Sequence, residues 1–107
     1  MKKQELIQQL AKEEKLSKRK SQKLLEAVFD IISKKLMKDE KVKISGFGTF
    51  LVVKRKGRII MNPQTKNKMK ISDFYIPHFR PGEPLKQKIR EAMEIKEEKQ
   101  YNKSKLN

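Results

Sequence analysis

The segment KRKGRIIMNPQTKNKMKI, Lys54 to Ile71, carries two short apolar runs, IIM at 59–61 and MKI at 69–71, on either side of NPQTKNK. Two such runs around a turn-forming stretch predict a β-hairpin. Asn62-Pro63 is a common turn initiator. The hairpin carries seven Lys/Arg and no aromatic residue. An isolated two-stranded hairpin is marginal in water, so this arm needs a further surface to order against. Its basic side chains can lie along a phosphate backbone, and a two-stranded ribbon is narrow enough to enter a DNA groove. A surface hairpin kept soluble by its lysines explains the same charge.

Upstream, KVKISGFGTFLVV (41–53) has a period of two and predicts strand, turn, strand. Gly46 and Gly48 bracket Phe47, where the backbone can turn tightly or bulge. Apolar residues on both faces of the second strand imply that both sides are covered. Downstream, FYIPHF (74–79) is a third strand, RPGEP stops it, and Pro84 opens a last helix, where proline is tolerated in the first turn. Leu85, Ile89 and Met93 give that helix a narrow apolar face. From Ile95 the chain is charged and poor in apolar residues, and a frayed helix or a disordered tail is expected.

Two helices precede the strands. Leu6, Ile7 and Leu10 mark one over about Lys3–Glu14. Ser17 is a good N-cap for a second, Lys18 to about Met37, with a broad stripe of Leu24, Leu25, Val28, Phe29, Ile32 and Leu36. The fold class is α+β: a helical hairpin, a three-stranded antiparallel sheet with a long β-ribbon arm, and a C-terminal helix. The expected division is one folded domain at 1–94, with its arm at about 54–72, and a charged tail at 95–107.

The 107 residues allow one domain with a small core. The stripe on the second helix, with Phe47, Phe50 and Phe79, exceeds what one small subunit buries, and implies a dimer. The aromatic residues could instead stack on single-stranded bases, but their strand periodicity favours a core.

The 28 Lys/Arg against 13 Asp/Glu give a net charge of +15. From Lys41 to Ser72 there are nine Lys/Arg and no acid. Such a field attracts DNA, RNA or an acidic membrane. No run approaches a membrane span, and the N-terminus lacks the apolar core of a signal peptide. The absence of cysteine excludes disulfides and thiolate metal sites, and suits a reducing cytoplasm. An enzyme has little to stand on. His78 is the lone histidine, and Asp30, Asp39, Glu40 and Asp73 are scattered where a metal-dependent nuclease needs clustered carboxylates. No catalytic residue, metal site or cofactor is expected.

GFGTF (46–50), NPQT (62–65) and PHFRPGEPLK (77–86), in this order after a helical hairpin, resemble the bacterial HU and integration host factor family over about residues 1–91. The resemblance implies an intertwined dimer whose two arms wrap double-stranded DNA through the minor groove, in the bacterial nucleoid. It implies a dimer core of Val28, Phe29, Ile32, Leu36, Phe47, Phe50 and Phe79. DNA would be held by Lys54, Arg55, Lys56, Arg58, Met61, Asn62, Pro63, Gln64, Thr65, Lys66, Lys68, Lys70 and Arg80, with Pro63 as the wedge that kinks the duplex. An apolar wedge costs a few kcal/mol of unstacking, offset by the protein surface that the bend brings to phosphate.

The family usually has arginine before Asn-Pro, where this chain has Met61, and glycine after the threonine, where it has Lys66. At the second position Asn67 could supply the positive φ one residue later. The expected function is architectural DNA bending with weak sequence preference and a taste for bent, nicked or flexible DNA. A sequence-preferring bender of integration host factor type and an RNA-binding basic protein are the alternatives. The dimer is formed by two copies or with a paralogue.

Overall fold

Ser17 starts the longer of the two N-terminal helices: its Oγ accepts the Lys20 N–H at 3.1 Å. The computed structural model describes residues 1–105, which form two compact units, Met1–Lys38 and the chain from Asp39 on. The first unit is a hairpin of α1 (Lys3–Glu14) and α2 (Lys18–Met37), with the bounds that the apolar spacing predicts. Lys15 closes α1 in the left-handed region, with φ 54. Ile7 and Ala11 are buried, as is Ser21, whose hydroxyl donates to the Ser17 carbonyl at 2.9 Å. Across the hairpin Lys3 Nζ lies 2.7 Å from Glu26 Oε1. The hydrogen bond from Lys3, then one from Gln22, holds the Glu26 carboxyl below its ordinary value. On α2, Leu25, Ile32 and Leu36 are half-buried, while Leu24, Val28, Phe29 and Ile31 are exposed.

The second unit contains β1 (Val42–Ile44), β2 (Gly48–Arg55), β3 (Arg58–Met61), β4 (Lys68–Ile71), β5 (Phe74–Pro81) and α3 (Glu83–Lys105). Strands β1, β2 and β5 form an antiparallel sheet with β2 in the middle, and β3 and β4 form a separate two-stranded ribbon. Leu51 on the central strand is buried, while Val52 and Val53 beside it are half-buried. Phe79 lies 4.9 Å from Phe50 and 5.3 Å from Phe47, centroid to centroid. Its ring crosses Gly48, where a Cβ would come within 2.6 Å of the ring and 2.7 Å of the Arg80 carbonyl oxygen. Glycine is therefore needed at 48 for close approach.

Of the two outcomes expected beyond Ile95, a frayed helix or disorder, the structure shows helix: α3 continues unbroken across 94–95 to Lys105. Ala, Met, Glu, Lys and Gln are good helix formers, and no glycine or proline interrupts them after Pro84. Low apolar content argues against packing, but it does not prevent a helix from continuing once nucleated. The last two residues of the expected tail, 106–107, lie outside the described residues.

Candidate nucleic-acid interface

The ribbon is a continuation of the sheet. Pairing between β2 and β5 runs from Gly48↔Pro81 to Arg55↔Phe74, and pairing between β3 and β4 runs from Arg58↔Ile71 to Met61↔Lys68 in the same register. Only Lys56-Gly57 on one side and Ser72-Asp73 on the other separate the two ladders. At this break the Gly57 N–H donates to Asp73 Oδ1 at 2.7 Å. A Cβ at Gly57 would collide with the Ile71 carbonyl oxygen. Lys54 Nζ lies 3.6 Å from Asp73 Oδ2 and 5.9 Å from the centre of the Tyr75 ring. The carboxylate that sequence reading left among the scattered acids thus ties together the base of the arm.

Directly opposed residues share a face of an antiparallel ribbon. One face carries Arg58, Ile60, Met69 and Ile71, and the other carries Ile59, Met61, Lys68 and Lys70. Ile60 and Ile71 are half-buried, whereas Ile59 and Met61 are exposed at 69% and 61%. The apolar residues that do not fill the ribbon's own half-buried side therefore stand beside lysines on the open one.

At the tip, Asn62 organises the turn. Its Oδ1 accepts the Gln64 N–H at 2.9 Å, and its Nδ2 donates to Met69 Sδ at 3.8 Å. Its backbone accepts the Lys66 N–H at 2.8 Å and donates to the Asn67 carbonyl at 2.9 Å. Pro63 is spanned by this Asx turn and is exposed. Thr65 Oγ1 accepts the Asn67 N–H at 3.4 Å. The left-handed residue is Lys66, with φ 58, and not Asn67. The hydrogen bond from Lys66 N–H to Asn62 closes the loop at 66, which places the reversal there.

The basic residues divide by position. Arg58, Lys68 and Lys70 lie on the ribbon, Lys66 at its tip, and Lys54, Arg55 and Lys56 at its base. Arg80 stands opposite Thr49, roughly 20 Å along the strand from the arm's base at about 3.4 Å per residue. All are exposed. Among the described residues Lys54 alone of these has a carboxylate partner. Gln64 and Thr65 are also exposed. Of the expected dimer-core residues, Phe50 and Phe79 are half-buried and Phe47 is 44% exposed in one unit, while Val28 and Phe29 are about half exposed in the other. Among the described residues no group of three His, Cys, Asp or Glu could hold a metal ion, and no helix is long and apolar enough to cross a membrane.

The family described as bacterial DNA-binding protein matches residues 1–90. DNA-binding protein HU of Geobacillus stearothermophilus is 42% identical over 90 residues, covering 84% of this chain and all of that one. Integration host factor subunit beta of Colwellia psychrerythraea is 36% identical over 90 residues, covering 83% of this chain and 95% of its own. Among solved structures, an Anabaena HU–DNA cocrystal structure matches with a TM-score of 0.79 at 31% identity, covering 83% of this chain and 97% of that one. HU from Thermotoga maritima matches with a TM-score of 0.60 at 32% identity, covering 83% and 98%.

Proposed function

We propose a function from one premise: the chain belongs to the family of bacterial DNA-binding proteins that includes HU and the integration host factor subunits. It is an architectural protein that binds and bends double-stranded DNA through its arms, with weak sequence preference. The observation that carries this reading is the exposed Pro63, presented by an Asx turn at the end of a ribbon whose lysines and arginine lack carboxylate partners among the described residues. Proline has no backbone N–H to desolvate and little entropy to lose, which suits a wedge between base pairs. Unpaired ammonium groups along the ribbon suit phosphate.

Met61 is exposed immediately before the turn. A thioether cannot donate to the minor-groove acceptors that report sequence. Recognition then rests on shape and deformability, which favours pre-bent, nicked or flexible DNA. Two copies of the chain form the working unit, since the exposed Leu24, Val28 and Phe29 of α2 and the half-exposed Phe47 are left for a second subunit. A heterodimer with a paralogue uses the same surfaces. The similarity to an integration host factor subunit sustains the second reading, a sequence-preferring bender.

Competition among linear duplex, nicked duplex and duplex RNA tests the function, with selection from random duplexes to test specificity. Nicked DNA is expected to compete best and RNA worst, with affinity falling about 10³-fold between 50 and 200 mM salt if six phosphates are contacted. Equal competition by RNA would remove the DNA reading. A sharp consensus would establish the sequence-preferring alternative. Met61→Arg is expected to tighten binding, chiefly at A·T-rich sites.

A further inference from the structure

Helix α3 is 23 residues long, about 34 Å at 1.5 Å per residue, and the family match ends at residue 90. The helix therefore carries residues 91–105 past the family match, and its side chains through Lys103 are exposed there. Six of its eight charges beyond residue 90 are sorted, Glu97 and Lys105 standing outside the pattern. Lys96, Lys99 and Lys103 follow the i, i+3, i+7 spacing of one helical face, and Glu91, Glu94 and Glu98 follow the same spacing on another. At about 100° per residue the two stripes are centred roughly 140° apart around the axis. None of the three lysines has a carboxylate partner among the described residues.

We propose that Lys96, Lys99 and Lys103 form a second DNA-phosphate-binding surface, which engages duplex beyond the stretch held by the arms. The inference rests on the DNA-binding function proposed above. Near a polyanion, such a helix turns its lysine stripe inward and its carboxylates outward. The lysines span about 10 Å of helix, enough to meet two or three phosphates. An exposed helix with no sequence-reading side chains on this face adds affinity without specificity. The sorted acids also fit the lysines of a second copy, but the chain's net charge of +15 opposes such self-association and favours the nucleic acid.

The test compares the full-length chain with K96Q/K99Q/K103Q and E91Q/E94Q/E98Q on two duplexes. One is just long enough to be bound and bent, and the other is several helical turns longer. Glutamine matches lysine and glutamate closely in helix propensity, and circular dichroism checks the fold. The lysine variant is expected to lose about tenfold affinity for the long duplex and to flatten its salt slope by about 2–3, at roughly 0.9 per contact. Its binding to the short duplex is expected to hold. K96R/K99R/K103R restores the loss, and the glutamate variant binds at least as tightly as wild type. An unchanged salt slope on the long duplex, with short-duplex binding intact, overturns the proposal but leaves the arm function standing. Equal losses in both glutamine variants, accompanied by reduced self-association without DNA, assign the stripe to a second copy and also overturn it. Failure of the wild type to bind either duplex removes both readings.

Discussion

Asp73 holds Gly57 across the base of the arm: its carboxylate takes the backbone N–H at 2.7 Å where the two ladders are interrupted, 16 residues apart in sequence. The same carboxylate pairs with Lys54 at 3.6 Å. The break in the β-ladder is thus bridged by a side chain, which can let go without disturbing the pairing on either side. We expect Asp73→Ala to loosen this joint. A hydrogen bond to a charged group contributes roughly 1.5–3 kcal/mol, reduced to about 1 kcal/mol here by solvent exposure. Exchange of the Gly57 amide should then accelerate about fivefold, with Asp73→Asn in between. Unchanged exchange in the alanine variant would show that the contact does not restrain the arm.

Lys66 occupies the left-handed region that costs an L-residue roughly 1–2 kcal/mol. Lys66→Gly and Lys66→Ala remove the same charge, but only glycine removes the strain. The glycine variant should slow amide exchange at Asn62 and Lys66, whose N–H groups close the tip at 2.9 and 2.8 Å. The alanine variant should not. Equal protection in both would mean that the tip is not strained at this position.

Val28 and Phe29 of α2 are about half exposed, and this is apolar surface that the proposed dimer would cover. We expect the melting temperature to rise with protein concentration, as mass action requires of an obligate dimer. Sedimentation at micromolar concentration should show no folded monomer. A melting temperature independent of concentration, together with a compact monomer, would contradict the dimer.

Much of this architecture is legible in the residues. The period of apolar side chains and the cap at Ser17 delimit both N-terminal helices, because local hydrogen bonding and spacing decide those ends. IIM and MKI around Asn62-Pro63 identify the ribbon for the same reason. Four features are less legible there. Asp73 reaches Gly57 across the sheet, and composition alone leaves it as one more isolated acid. The position of positive φ depends on which N–H closes the turn, and asparagine's general tolerance pointed one residue too far. Continuation of α3 past Ile95 follows from propensity with no tertiary burial, so the sparse apolar residues leave frayed helix and disorder both open there. The sorting of arm residues onto two faces needs the register, which the spacing of the two runs alone leaves undefined.

The central claim is that Pro63, at the tip of each arm, bends the duplex. Pro63→Ala leaves every basic side chain in place, and on the proposed function those carry the sequence-independent part of the affinity. Its most direct test is the bend angle of a bound duplex, measured by energy transfer between dyes at its two ends, for wild type and Pro63→Ala at saturating protein. The account predicts a clear loss of bending with an affinity change smaller than about tenfold, or 1.4 kcal/mol. An unchanged bend angle would contradict it.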